Sequence, residues 1–536
     1  MTKNKKSRGG KTFSGNHHGL KWLIFSFALL AVVVVAIVLN LNHTVDDTNK
    51  IAGVIDVDNG DSKINWERYQ TVDVNLSESL KIIESGTYHI SGSLDGGMIT
   101  IDAGVGEVRL ILDNVTINNT SGPAIYCSSA EDVVIELNGN NYLSDGDYYS
   151  DYEDDVTGTI YSKADLTFQG EGSLTITGNF QDAIVGKDDV KFNSGVYMIT
   201  AKDDGVRGKD SVYVVSGDFV IDSGADAIKV TNELDSGKGF VLIESGNFAI
   251  DASAKGIKAT KSILIYDGNF TITSYDDSIH SNNYVGIVGG DYVINAGDDG
   301  IHADRELIVD GGDIVIIKAY EGLEAQVITV NSGTMSITAT DDGLNAGGGA
   351  DESAMNRPGA GPFNADTSCI LSINGGQVYV NASGDGIDSN GYLYFNGGNV
   401  EVDGPTNSGN GALDAGAGIV MSGGKVVAVG ASGMAESLGS DSSIFNINVY
   451  FESTQPANTK IEIKDNNGEV LISHTSAKTF NHMATGCEKF QLGSTYTIYL
   501  NDEFYKSFTV SDIVTTVGNS NTNQMMPQNN GPQNRR

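Results

Sequence analysis

"INAGDDGIHADRELIVDGGDIVIIKAYEGLEA", residues 294–325, decides the fold. It carries one short mark twice: Asp299-Gly300-Ile301 and, 22 residues on, Glu321-Gly322-Leu323. Between the marks, "ELIVDGGDIVI" (306–316) reads as two short β-rich runs joined by a glycine turn. Its hydrophobic period is two, the period of a strand.

The same mark returns at Asp182 ("DAI"), Asp204 ("DGV"), Asp226 ("DAI"), degenerate at Lys255 ("KGI"), then at Asp277 ("DSI"), Asp342 ("DGL") and Asp385 ("DGI"). The spacing is 21 or 22 residues except for 29 before Lys255 and 43 before Asp385. The longest interval contains "GGGADESAMNRPGAGPFN" (347–364), which reads as a protruding loop. Weaker marks stand at Pro123 ("PAI"), Gly158 ("GTI") and Gly411 ("GAL"). A period of 20–50 residues is the signature of a solenoid or a propeller, and a propeller blade needs ~40 or more residues. No unit holds a ten-residue amphipathic helix. The pattern therefore predicts an all-β fold, a parallel β-helix of ~22-residue coils. Ile228, Ile257, Ile279 and Ile301 form its inward ladder.

Outside the repeat, "NLSESLKIIESGTYHISGSLDGGMITID" (75–102) suits a front cap, which a solenoid needs because each coil buries its face only against neighbours. After residue 445, "NINVYFESTQPANTKIEIKDNNGEVLI" and "STYTIYLNDEFYKSFTV" read as antiparallel hairpins of a small C-terminal β cap. The expected organisation is a β-helix over 64–444, a cap over 445–517 and a polar tail over 518–536. At the other end, "WLIFSFALLAVVVVAIVL" (22–39) is an 18-residue uncharged run, about 27 Å long as a helix and close to a bilayer core. Six basic residues and no acidic one precede it, from Lys3 to Lys21. This predicts a basic cytoplasmic segment (1–21), a single-pass transmembrane signal anchor, a linker (40–63) and an extracellular domain at the cell surface.

Composition narrows function. Lys and Arg total 33 against 69 Asp and Glu, a net charge of −36, which argues against nucleic acid as a partner. Cys127, Cys369 and Cys487 are far apart and in no CxxC, so neither a disulfide framework nor a zinc site is expected. A monomeric chain is expected.

Stacking turns the marks into an electrostatic problem. Equivalent residues in adjacent coils stand about 4.8 Å apart, where two carboxylates repel by about 3.5 kcal/mol at an effective dielectric of 20 and by under 1 kcal/mol in bulk water. Three residues after the marks stand Arg207, Lys229, Lys258, His280 and His302, then Glu324, Asn345, Asp388 and Asp414. The first half of this row offers an inter-coil salt-bridge ladder, and His280 and His302 fit pairing with neighbouring Asp. The second half offers oxygens and no base. Calcium takes six to eight hard oxygen ligands from flexible turns. The calcium candidates are Asp203, Asp204, Asp226, Asp276, Asp277, Asp298, Asp299, Asp341, Asp342, Asp385 and Asp388, although the EF-hand loop and the Gly-rich calcium nonapeptide are both missing. In "SDGDYYSDYEDD", Tyr148, Tyr149 and Tyr152 either stack on sugar rings or pack a loop.

The stretches "GTYHISGSL", "VRLILDNVTINNTSGPAIY", "GTIYSKADLTFQGEGSLTITGN", "DDGVRGKDSVYVVSGDFVI", "ASGMAESLG" and "GSTYTIYL" resemble the bacterial carbohydrate-binding domain-containing proteins, cell-surface β-helices shaped like pectate lyases. The resemblance runs over about 64–517. It implies a right-handed parallel β-helix, bound calcium, and adhesion to cellulose or to pectic and other acidic polysaccharides. The "KGI" unit at Lys255 departs from the acidic mark and interrupts the expected calcium row. The alternative is a calcium-dependent polyuronate lyase with Arg207, Lys229 or Lys258 as base. An acidic chain stabilises the charged forms of those side chains, which works against proton abstraction. No catalytic residue is assigned.

Overall fold

The computed structural model describes residues 63–150, 152–347 and 365–519. One coil shows how the sequence builds it. Val206–Gly208, Ser211–Val214 and Asp218–Ser223 are three short strands separated by tight corners. Each pairs in parallel with its equivalent in the next coil: Val206 with Ile228, Ser211 with Phe240, Asp218 with Asn247. Repetition yields three parallel sheets around one core, here called the first, second and third sheet in that order. Among the described residues the only helical element is a 3-10 turn at Trp66–Arg68.

Alternation places the core. In Asp218–Ser223 the odd-numbered Phe219, Ile221 and Ser223 are buried and the even-numbered residues exposed. Stacked coils then bring like residues together. Tyr197, Phe219, Phe248, Phe270 and Tyr292 form a buried column with ring centroids 4.7–4.9 Å apart, a favourable face arrangement for aromatic rings. On the first sheet Ile228, Ile257, Ile279 and Ile301 are in register and no more than 1% exposed. The aliphatic ladder read from the marks is the inner wall.

The 29-residue interval has a structural cause. Residues 231–239 leave the coil as a loop, and Lys238 reaches back to Asp189 at 2.9 Å. The protruding loop expected at 347–364 lies, beyond Gly347, outside the described residues. So do the basic segment, the anchor at 22–39, most of the 40–63 linker and most of the tail. Among the described residues no helix is long and apolar enough to cross a membrane.

At the back the pairing changes. The last parallel strand of the third sheet, Lys425–Gly430, pairs antiparallel with Phe480–Cys487, which pairs antiparallel with Asn446–Gln455. Beside it Lys460–Lys464, Val470–Thr475, Thr495–Leu500 and Glu503–Thr509 form a four-stranded antiparallel sheet. This module covers the exposed backbone edge that a solenoid would otherwise offer to another chain. Cys127, Cys369 and Cys487 are buried and unbridged.

Candidate functional site

The corner between the third sheet and the next coil's first sheet carries the acidic marks. Each buried carboxylate accepts the backbone N–H of the equivalent residue one coil on. Asp204 N–H donates to Asp182 Oδ1 (3.0 Å), Asp226 to Asp204 (3.2 Å), Lys255 to Asp226 (3.0 Å) and Asp299 to Asp277 (3.0 Å). A short oxygen-bearing side chain thus satisfies a buried donor at most of these coils, while at the Lys255 coil Asp276 Oδ1 takes the Asp277 N–H. The second oxygen is left to find a charge.

Just outside this column lies the row three residues further on. Arg207, Lys229, Lys258, His280, His302, Glu324, Asn345, Asp388 and Asp414 stand in strict register. In its first half the cations meet the carboxylates. Arg207 is 2.7 Å from Asp182, and Lys229 is 3.1 Å from Asp204 and 3.0 Å from Asp226. Lys255, the odd member of the marks, turns its ammonium onto Asp276 (3.0 Å) and Asp277 (2.6 Å), and His280 adds a contact to Asp277 at 2.8 Å. Burial alone would raise the Asp277 carboxyl, but His280 and Lys255 hold it well below the usual range. Lys229 serves two aspartates. Burial lowers its ammonium, Asp204 and Asp226 more than offset that, and it ends raised. Asp204, with only a share of that charge, is pushed by burial up to about 6.

One oxygen each from Asp182, Asp203 and Asp204 lies within 4.8 Å of the others, as for Asp276, Asp277 and Asp298. Arg207, Lys229 and Lys255 already stand at these carboxylates, so the calcium candidates Asp204, Asp226 and Asp277 have few oxygens left for a divalent ion. Asp203 and Asp298 lie at the outer rim.

From Glu321 downward the picture reverses. Burial, with Glu324 and Asp299 nearby, pushes Glu321 up to about 10. Burial and Asp385 push Asp342 to about 7, burial pushes Asp385 to about 6, and burial with Asp342 and Asp414 raises Asp388 far above its usual range. No lysine or arginine among the described residues pairs with these four. Asp385 N–H still donates to Asp342 Oδ1 at 2.6 Å, continuing the column. The donor set fits a hard cation. The buried Asn345 Oδ1 has no hydrogen-bond partner, and the bare face of Gly384 is cradled by Asp341 Oδ1 and Asp342 Oδ1. Asp341, Asp342, Asp385 and Asp388 are therefore the members of the calcium set that no lysine or arginine among the described residues meets, although their oxygens do not converge as those of Asp182, Asp203 and Asp204 do. Asp414 and Glu436 join them. Glu436, raised to about 7 by burial and by Asp414, comes from a loop with no mark, so periodicity could not find it.

A second acidic cluster was also missed, at the corner between the first and second sheets. Asp165, Asp188 and Asp189 approach one another, with Asp165 raised by burial and Asp188 to about 7. Lys238, from the 29-residue coil, sits against it. The third corner is lined by glycine turns. Gly195, Gly217, Gly246 and Gly268 floor a groove of about 490 Å3, walled by Asp218 and Asn247 among others. An added Cβ at Gly217, Gly246 or Gly268 would press on the aromatic column beneath.

The tyrosines divide. Tyr149 donates to Asp145 (2.8 Å) and the Gly158 carbonyl (2.9 Å) and stacks on Phe180 at 4.4 Å. Tyr152 packs edge-on against Tyr126. Both anchor the loop over Tyr161 and Val185. Tyr148 is 58% exposed and open to a ligand.

A model of the family described as "Carbohydrate-binding domain-containing protein" matches residues 77–322 and 272–360. A protein of that description from Acetivibrio thermocellus is 36% identical over 146 residues, 26% of this chain and 50% of the relative. The chain thus spans about half the length of that relative. A solved structure, of the polysaccharide lyase-like protein from C. thermocellum as a gadolinium derivative, aligns at 30% identity with a TM-score of 0.36, over 45% of this chain and 95% of that one.

Proposed function

This chain belongs to the carbohydrate-binding domain-containing protein family, and from that premise we propose that it binds polysaccharide without cleaving it. The observation that carries the non-catalytic half is the state of the bases. Arg207 and Lys229 are each bound to buried aspartates, with the Lys229 ammonium raised. A lyase base must be lowered toward the working pH and reach substrate; these two are committed to holding coils together. As a surface adhesin anchored through residues 22–39, the chain presents cellulose or an acidic glycan with the polar glycine-turn groove, where Asp218 and Asn247 offer hydrogen bonds, and with Tyr148 as an aromatic platform. Calcium at Asp341, Asp342, Asp385 and Asp388 firms the lower coils and bridges acidic glycans that a chain of this charge would otherwise repel.

The test is retention of the full chain on insoluble cellulose and on polygalacturonate, with calcium and with chelator. We expect retention on at least one glycan, no rise in ultraviolet absorbance from unsaturated uronate ends, and a calcium requirement confined to the polyuronate. Ultraviolet-absorbing product that disappears in Lys229→Ala would establish the lyase instead.

A further inference from the structure

His280 and His302 occupy equivalent positions in consecutive coils, their rings stacked 4.7 Å apart. Their surroundings differ in kind. His280 Nδ1 meets Asp277, whose charge Lys255 also neutralises at 2.6 Å, and Nε2 meets the neutral amide oxygen of Asn282 at 3.1 Å. Around His302 three carboxylates converge. Nδ1 faces both Asp299 Oδ2 (3.0 Å) and Glu324 Oε2 (2.8 Å), while Nε2 faces Asp304 Oδ1 (3.2 Å). Glu321, one coil from Asp299, adds a fourth acidic group. No lysine or arginine among the described residues pairs with any of the four.

One ring N–H shared between two carboxylate oxygens makes two bent, weakened hydrogen bonds, whereas one metal ion binds the nitrogen and both oxygens together. The Nδ1, Oδ2 and Oε2 atoms all lie within 4.8 Å of one another. Ligands bound at 2.0–2.2 Å in a tetrahedron stand roughly 3.3–3.5 Å apart, so the two imidazole–carboxylate pairs, at 3.0 and 2.8 Å, need open by only a few tenths of an ångström. Asp304 is placed as the outer partner that commonly fixes a ligating imidazole, accepting Nε2–H and turning the Nδ1 lone pair inward. The Asp299 carboxylate is held in orientation because its other oxygen accepts Glu321 N–H at 3.3 Å.

We propose that His302, Asp299 and Glu324 form a centre for a borderline first-row divalent cation, zinc by preference, with Asp304 as its outer-shell partner. The imidazole distinguishes it from the all-oxygen corner assigned to calcium, since nitrogen ligands suit zinc and its neighbours while calcium takes oxygen. It stands independently of the polysaccharide reading. The ion enters past Glu324 and Asp304, 14% and 35% exposed, to a histidine that is itself fully buried. It staples two coils, because Glu324 belongs to the coil after His302.

The experiment is zinc titration of the chelator-stripped full chain against a competing chromophoric chelator in millimolar calcium, with cobalt absorption as a second readout. We expect one zinc per chain that calcium does not displace, and a visible cobalt band. Affinity should fall at least 100-fold in His302→Gln and about 10- to 100-fold in Asp304→Asn. Asp304 is at the surface, so its variant reports on the site even if His302→Gln folds poorly. Absence of calcium-resistant zinc, or equal affinity in the Asp304 variant, would overturn the proposal.

Discussion

Asp277 and Asp342 hold the same place three coils apart, and each accepts a backbone N–H from the coil that follows. Around Asp277 the second oxygen meets Lys255 and His280. Around Asp342 stand Asp385, Asp341 and Asp414. The backbone thus calls for an oxygen at most of these coils and leaves the charge of that oxygen to be handled locally. Coils from Asp182 to His280 handle it with arginine, lysine and histidine. Coils from Glu321 to Asp414 do not, and Glu321, Asp342, Asp385, Asp388 and Asp414 are raised. The first half is held by internal ion pairs. We propose that the second half takes its counter-charge from solution.

One substitution made in both halves should give opposite signs. Asp277→Asn keeps the acceptor for Asp299 N–H but removes the charge facing a buried Lys255 and His280. Breaking a buried pair in this way costs about 3–5 kcal/mol, read from a denaturant melt. Asp342→Asn also keeps its acceptor, and at pH 8 without divalent cations it should stabilise by about 1 kcal/mol after solvent screening. Equal destabilisation by both would break the comparison.

Acidity should separate the halves next, by roughly 2 kcal/mol. Asp342 and Asp385 have folded values near 7 and 6, above the ~3.9 of an unfolded aspartate. The folded state therefore binds more protons between those limits, and the lower coils lose stability as pH rises from about 4 to 7. Asp277 is depressed, so its contribution is present above about pH 4 and lost as pH falls further. Protection of amides in each region, followed against pH after correction for intrinsic exchange, tests both signs. A smaller effect sharpens the role of the aromatic loop. Tyr149→Phe should cost about 1 kcal/mol through its lost hydrogen bonds, while Tyr148→Ala should leave the melt within about 0.5 kcal/mol and reduce glycan retention. Retention unchanged by Tyr148→Ala would remove it from the binding surface.

Much of this was legible in the residues. The 22-residue interval with period-two runs fixes the coil, and the row from Arg207 to Asp414 follows because registers in a solenoid propagate from one coil to the next. The change from basic to acidic along that row is also visible. What was hidden depends on side-chain reach. Lys255 reads as a gap in the acidic marks, and in the fold its four-carbon stem brings the ammonium onto Asp277. Glu436 and Lys238 arrive from irregular loops, and spacing does not say where a loop folds. Tyr149 and Tyr152 could not be told from sugar-binding tyrosines until Phe180 and Tyr126 were seen against them.

The central claim, that one half neutralises itself and the other draws on bound cations, is tested most directly by region-resolved hydrogen exchange at pH 7.5 with calcium or with chelator. Calcium should slow exchange in the coils carrying Asp342, Asp385 and Asp414 and leave those from Asp182 to His280 unchanged, with magnesium a poor substitute because of its stricter octahedral geometry. Uniform protection along the solenoid, or none in the lower coils, would contradict it.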